Sequence, residues 1–309
     1  MSQEWIDQLY IYEKDYINLV LEEARRIKRE KGECDYKDFE HLDVFHPAGN
    51  AGLDLFLESY KHLPQNITVL DVGSGIGGPG RYVNGKTGWR IYGFDYLQHY
   101  VDAAKEITEY SGQGQTIEYH HGDILSDPLP ENAFDMAMTT AVFMYIPEGV
   151  PGFRNIYKAL KPGAIFYWED YYLLKERDQL NAEERKLLED FPTQGVRTKN
   201  TLLQEMQGVG FELVEWCDFG KEWSEFAWNR AERFLTRHYS EDSKKPLKGE
   251  LFSYGRIVPQ ILKDLKHYTP QQIKEKWPVT DRELDSEQVI FNKPEFIGVS
   301  RVVFKKPEA

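Results

Sequence analysis

From Gln3 to about Lys31, apolar residues recur three to four positions apart, at Ile6, Leu9, Tyr10, Ile17, Val20, Leu21, Ala24 and Ile27, with charges between them. That spacing predicts one amphipathic helix. A shorter helix is expected from Leu53 to His62. The pattern then changes to short apolar runs at 67–72, 90–94, 116–120, 134–140, 164–170, 211–217 and 296–304, rich in β-branched and aromatic residues. Helical stretches at 97–110, 153–160 and 200–207 separate them. Strands alternating with helices predict an α/β fold, a Rossmann-like, seven-stranded, mostly parallel sheet with helices on both faces. The connection before the last strand is far longer than a hairpin needs. Its segments SEFAWNRAERFLTRHY and IVPQILKDLKHY read as helices, and PVTDRELDSEQVIFNK as loop. The expected division is a helical lid at 1–40, a core at 41–217, a helical cap inserted at 218–295 and the last core strand at 296–309.

The first core strand runs straight into glycines, ITVLDVGSGIGGPGRYV over 67–83. Glycine serves where backbone turns tightly or approaches a ligand, because it has no Cβ to clash. Two readings share these glycines. Gly73, Gly75 and Gly78 satisfy G-x-G-x-x-G with Asp95 near the ribose-binding distance, which suits a nicotinamide dinucleotide and an NAD-dependent oxidoreductase. Asp71, two residues before Gly73, gives instead the D-x-G-x-G-x-G form of enzymes that use S-adenosylmethionine. Ligands of such sheets bind beyond the carboxyl ends of the strands. There Asp95, followed by Tyr96, can accept two ribose hydroxyls. Asp123 can accept an adenine amino group while Ile124 covers a ring face. Strand-end aspartates also serve as plain helix caps.

Composition narrows the partners. The formal charge of −13 over 309 residues argues against a nucleic-acid partner, which needs clustered Lys and Arg. With 41% hydrophobic residues a sizeable core is available. Two distant cysteines, Cys34 and Cys217, exclude a disulfide framework and a Cys-rich metal site. No apolar run reaches the roughly 18 residues of a membrane span, and the start is not a signal peptide. A cytoplasmic protein with a small-molecule substrate and no metal is expected.

VLDVGSGIGGPGRY, GFDY, HGDIL and LKPGAIFYWED in this spacing resemble the class I S-adenosylmethionine-dependent methyltransferases. With HPAG upstream, GIGGPGRY looks like the small-molecule branch that includes the sarcosine/dimethylglycine, tocopherol, sterol and phosphoethanolamine enzymes. The resemblance covers about residues 41–217. It implies that Gly73, Gly75 and Gly77 border the methionine part of the donor and that Asp71 helps hold its amino end. It also implies that Asp95 takes the ribose, Asp123 and Ile124 the adenine, and that Thr140 lies over the sulfonium. S-adenosylhomocysteine would be the product. The aromatic Y-E-x-G-W-G signature of sterol enzymes is absent around Phe39 to His46, and the Asn/Asp-Pro-Pro-Tyr motif of nucleobase methyltransferases is absent after the fourth strand. The phosphoethanolamine type pairs a histidine after that strand with an N-terminal tyrosine. Tyr145 stands at the histidine's position here, and Tyr12 or Tyr16 would be the tyrosine.

On the acceptor side, Glu169 and Asp170 are expected to end the fifth strand among Tyr167, Trp168, Tyr171 and Tyr172. Carboxylates beside aromatic faces suit a cationic acceptor, and an amine must be neutral to attack, which a nearby base assists. Tyr145, Glu169, His46 and Tyr16 are therefore the catalytic candidates. Tyr12, Trp168, Tyr171, Tyr172 and Trp223 are the substrate-binding candidates. The aromatic residues also suit plain packing of a cap on the sheet. The expected reaction is methyl transfer to a small molecule, first an amine nitrogen. Alternatives are the carbon or oxygen of a sterol-like or phenolic compound.

Overall fold

The computed structural model describes residues 3–42, 49–190, 194–238, 268–284 and 296–308. Helix α1 (Gln3–Lys31) precedes two short 3-10 turns and α2 (Ala51–Ser59). The core then alternates β1 (Thr68–Val72), α3 (Gly78–Thr87), β2 (Arg90–Asp95), α4 (Gln98–Tyr110), β3 (Ile117–His121) and β4 (Phe134–Thr140). After a 3-10 turn at Phe143–Tyr145 come α5 (Val150–Ala159), β5 (Leu160–Leu173), α6 (Ala182–Asp190), β6 (Arg197–Thr198), α7 (Lys199–Val209) and β7 (Glu212–Asp218). Helices α8 (Gly220–His238), α9 (Pro270–Lys276) and α10 (Asp281–Leu284) lie between β7 and the last strand, β8 (Ile297–Lys305).

The sheet order is β3-β2-β1-β4-β5-β8-β7, with two-residue β6 paired to β5 outside that path. Strands β3 to β5 are parallel, and β8 runs antiparallel to both neighbours. In the connection before β8, SEFAWNRAERFLTRHY is helical within α8, α9 is an addition, α10 falls in the stretch expected as loop, and residues 257–267 of IVPQILKDLKHY lie outside the described residues. The expected sheet is present, with β6 and α6 as further additions that the apolar pattern did not mark. Both are short, and α6 exposes most of its described residues.

Each face of the sheet carries its own core. Leu70, Val72, Ala137, Phe166, Trp168, Val302 and Phe304 pack under Phe153 and Ile156 of α5 and Leu202 and Met206 of α7. Val69, Ile91, Met138, Tyr167 and Val303 pack under α2, α3 and α4. These strands are covered on both faces, so their apolar residues run continuously rather than alternating. The second half of α1 seats Ile17, Val20 and Ala24 against Tyr100, Ala103 and Ile107 of α4 and against Ile76 of the glycine turn. Arg25 grips Glu106 through two nitrogens at 2.6 and 2.8 Å.

One strand departs from expectation. β5 continues to Leu173 because β8 pairs with it from Ile165 to Leu173. Glu169 and Asp170 therefore lie inside the strand, and since side chains alternate across a sheet they point to opposite faces.

Candidate functional site at the carboxyl edge of the sheet

The order of strands reverses at β1, whose neighbours β2 and β4 diverge there, and the turn after β1 opens into that gap. Gly73, Gly75 and Gly77 all have positive φ, at 68°, 55° and 86°. The turn is tied at both ends: the Gly73 amide donates to Phe94 O at 2.8 Å, and the Gly77 amide to Ser74 O at 2.8 Å. The three glycines differ in what surrounds them. A Cβ on Gly73 would overlap Val142, and one on Gly77 would overlap the Tyr119 hydroxyl. A Cβ on Gly75 would meet nothing within 4 Å. The turn thus presents one open backbone position, flanked by glycines that the protein itself needs.

Asp95 borders that opening. Its Oδ2 accepts the Gly75 amide at 2.8 Å and its Oδ1 the Leu97 amide at 2.9 Å. Each oxygen keeps a second acceptor direction for a ligand hydroxyl. Burial raises the carboxyl's pKa, and the two amides pull it back. Tyr96 beside it is exposed. Asp71 is placed differently from a ligand contact. It is buried under the first turn of α3, with Oδ2 3.0 Å from where a Cβ on Gly80 would stand. Burial, reinforced by the charge of Asp95, pushes its carboxyl up to about 7 against the pull of Arg81.

Asp123 follows β3. Its Oδ1 accepts the Leu125 amide at 2.9 Å, while its own amide donates to Asp127 at 2.8 Å, so it shapes its own turn. Ile124 is buried beside Phe94 and Leu129. Asn155 of α5 secures this turn by donating to the carbonyls of Ile124 at 3.2 Å and Asp127 at 2.5 Å. Thr140 ends β4, buried, opposite Glu169 of β5.

Beyond β4 the chain turns through Ala141 at φ 55° and is clamped from two sides. Arg197 donates to the carbonyls of Phe143, Ile146 and Pro147 at 3.1–3.2 Å. Asp170 accepts the Met144 amide at 3.0 Å and the Tyr171 amide at 2.8 Å. Burial raises Asp170 to about 7, partly offset by those amides and by Arg197. On this turn Tyr145 packs with Tyr171 against Met144 and Leu173. Tyr171 meets Trp223 of α8 edge-on, ring centroids 5.9 Å apart.

The structure therefore brings Tyr145, Tyr171 and Trp223 to one neighbourhood. It does not bring Trp168 or Tyr172 there. Trp168 is in the core under α5, stacked on Phe143 at 5.1 Å and against Phe153. Tyr172 points to the same face as Trp168 and donates to Asp218 at 2.7 Å. Glu169 is fully buried beneath Gly52 of α2 and accepts the Tyr167 hydroxyl at 2.7 Å. His46 lies outside the described residues, as do the side chains of Tyr12 and Tyr16. Sequence reasoning missed Arg81, Tyr119, Asn155 and Arg197. The apolar pattern carries no mark for a buried polar side chain that serves backbone.

Residues 70–168 match the family described as "Methyltransferase domain". Sterol 24-C-methyltransferase of Pneumocystis carinii is 28% identical over 179 residues, 56% of this chain and 47% of that one. The chain spans about half the length of the curated relatives it matches. Haemonchus contortus phosphoethanolamine N-methyltransferase 2, solved with phosphomonomethylethanolamine and S-adenosylhomocysteine, shares the fold. Its TM-score is 0.64 at 16% identity, covering 86% of this chain and 55% of that chain. The cyclase SpnF shares it over 98% of this chain and 96% of its own, with TM-score 0.61 and 20% identity.

Proposed function

We propose that this chain, whose residues 70–168 match a methyltransferase domain, is a class I S-adenosylmethionine-dependent methyltransferase that transfers a methyl group to a small-molecule acceptor. The observation that carries the reading is Gly75. Its left-handed backbone has empty space where a side chain would stand, and its amide is held by Asp95. That is a cradle for a ligand pressed against backbone.

The residues present fit the donor. Gly75 would lie against its methionine end, Asp95 would accept the ribose hydroxyls, and Asp123 with Ile124 would meet the adenine. Asp71 would act one step removed, under the helix that follows the glycine turn. The donor supplies a methyl carbon already activated by a positive sulfur. The chain's own work is to hold the acceptor in line and keep water out, which supplies several kcal/mol of barrier lowering. The clamped turn at 142–147 and the aromatic group Tyr145, Tyr171 and Trp223 are suited to that task.

An amine nitrogen is the first acceptor we propose, because aromatic faces attract ammonium groups. Carbon is the second, favoured by the curated relatives, which are named for methylation at a sterol carbon. The aromatic signature of the sterol enzymes is absent here, and the same rings would steady a cation formed on carbon. A cytoplasmic setting belongs to this reading, on two unpaired cysteines. The test is incubation of the protein with methyl-labelled S-adenosylmethionine and a metabolite extract, read by mass spectrometry. Label in a polar amine supports nitrogen transfer, and label in a sterol or other lipid supports carbon. Donor bound with no labelled product overturns the enzymatic reading.

A further inference from the structure

Beneath the glycine turn lies a buried polar chain that neither the donor nor the acceptor reading uses. Arg81 of α3 is one of the largest fully buried side chains in the protein. Its Nη1 donates to the Ile76 carbonyl at 2.7 Å and to Thr108 Oγ1 at 3.2 Å. Thr108, on α4, lies 3.1 Å from the Tyr119 hydroxyl of β3, and that hydroxyl donates to the Gly77 carbonyl at 3.4 Å. Three elements thus converge on two consecutive carbonyls of the turn.

The space for this chain is made by glycines. A Cβ on Gly93 of β2 would overlap the Tyr119 ring, and one on Gly77 would overlap its hydroxyl and stand 2.8 Å from Arg81 Nη1. Two glycines on separate segments therefore accommodate one phenol. A phenylalanine would fill the same slot, so packing alone does not call for the hydroxyl. What the hydroxyl adds is an attachment to Thr108 and to the turn.

We infer that Arg81 and Tyr119 are positioning residues for donor binding, fixing the Ile76–Gly77 end of the glycine turn so that Gly75 meets the donor already in its bound form. The inference rests on the donor reading above. A turn with glycines at 73, 75 and 77 has many backbone states, and any freedom left in the empty site must be lost on binding. Buried hydrogen bonds to its carbonyls remove that freedom in advance.

The test uses the full chain with Tyr119→Phe, Arg81→Lys and, as a matched control, Tyr82→Phe. Tyr82 also lies on α3, but its hydroxyl donates to Asp54, away from the turn. Each protein is titrated with S-adenosylhomocysteine by calorimetry, followed by thermal unfolding and by hydrogen exchange of the Ser74–Gly77 amides without ligand. Tyr119→Phe should weaken binding by about five-fold and Arg81→Lys by about ten-fold or more, the range expected for one and two such bonds. Exchange in the turn should speed up in both. Tyr82→Phe should lower the melting temperature and leave both the dissociation constant and the exchange unchanged. Wild-type affinity and protection in Tyr119→Phe would overturn the inference while leaving the donor reading intact. Failure of the wild-type protein itself to bind S-adenosylhomocysteine would overturn both. Tyr119→Phe remains decisive even where Arg81→Lys does not fold.

Discussion

Asp95 Oδ2 accepts the backbone amide of Gly75 at 2.8 Å. The carboxylate placed to receive a ribose is therefore also a tie between the end of β2 and the open position of the glycine turn. Its replacement should disturb both. In Asp95→Asn one carboxylate oxygen becomes an NH2 group, which cannot accept from the Gly75 or Leu97 amide. Hydrogen bonds to charged groups contribute about 1.5–3 kcal/mol. S-adenosylhomocysteine should bind at least about ten-fold more weakly, a change of about 1.4 kcal/mol. Calorimetry reads this directly, and a dissociation constant within two-fold of wild type removes Asp95 from the donor site.

The three glycines of the turn should separate into two kinds. Alanine at Gly75 takes on a left-handed backbone at φ 55°, a cost of about 1–2 kcal/mol, but meets no protein atom. Its main effect should be on donor binding. Alanine at Gly73 or Gly77 adds a collision with Val142 or with Tyr119, and overpacking costs a further ~1–3 kcal/mol. Urea denaturation should therefore rank Gly75→Ala as the most stable of the three, and calorimetry should show it almost unable to bind the donor. Wild-type binding by Gly75→Ala would mean that the open side of the turn faces no ligand.

These predictions show where the sequence was legible. β1 and its glycines could be read because an apolar run ending in Asp-x-Gly-x-Gly leaves few backbone alternatives. Asp95 could be placed because strand length and the following helix locate the end of β2. The end of β5 could not, since its extension to Leu173 depends on pairing with β8, about 130 residues further along the chain. That error carried Glu169 and Asp170 to one site, although period-two alternation inside a longer strand sends them to opposite faces. Trp168 was misjudged for the same reason, as its face of β5 is roofed by α5. Arg81 illustrates a different limit. A basic residue after a glycine turn carries no mark of burial in the sequence, and only the tertiary arrangement of Thr108 and Tyr119 shows what it holds.

Stability should fall as pH rises from about 4 towards 7. Asp71 and Asp170 both titrate near 7 in the folded protein, against an ordinary value of 3.8, because burial disfavours their charged forms. Between those values the folded state holds protons that the unfolded chain has released. The stability these groups contribute is present in full below about pH 4 and is lost as pH approaches 7, with a limiting slope of about 1.4 kcal/mol per pH unit for each. Glu106, lowered by its hydrogen bond to Arg25, acts in the opposite sense at the acid end. Denaturation at pH 5, 6, 7 and 8 should show a decline that is shallower in Asp71→Asn, which can still accept the Gly80 amide. Parallel profiles for the two proteins would mean that Asp71 is not protonated in the fold.

Tyr145, Tyr171 and Trp223 form the aromatic group at the carboxyl edge. If they receive the acceptor, loss of their contacts should appear in turnover and not in donor affinity. Tyr145→Phe should bind S-adenosylhomocysteine as wild type does and lower methyl transfer by about ten-fold. Trp223→Phe keeps most of the buried volume and should chiefly raise KM, by about two-fold to thirty-fold if the indole faces a cation worth ~0.5–2 kcal/mol. The dependence of kcat/KM on pH then distinguishes the two acceptors. A free amine attacks only when neutral, so its rate should climb with pH until the amine has lost its proton. An alkene carbon has no proton to lose, so its profile should lack that rise. Unchanged turnover in both variants would move the acceptor away from this group, toward the face of the glycine turn covered by α1.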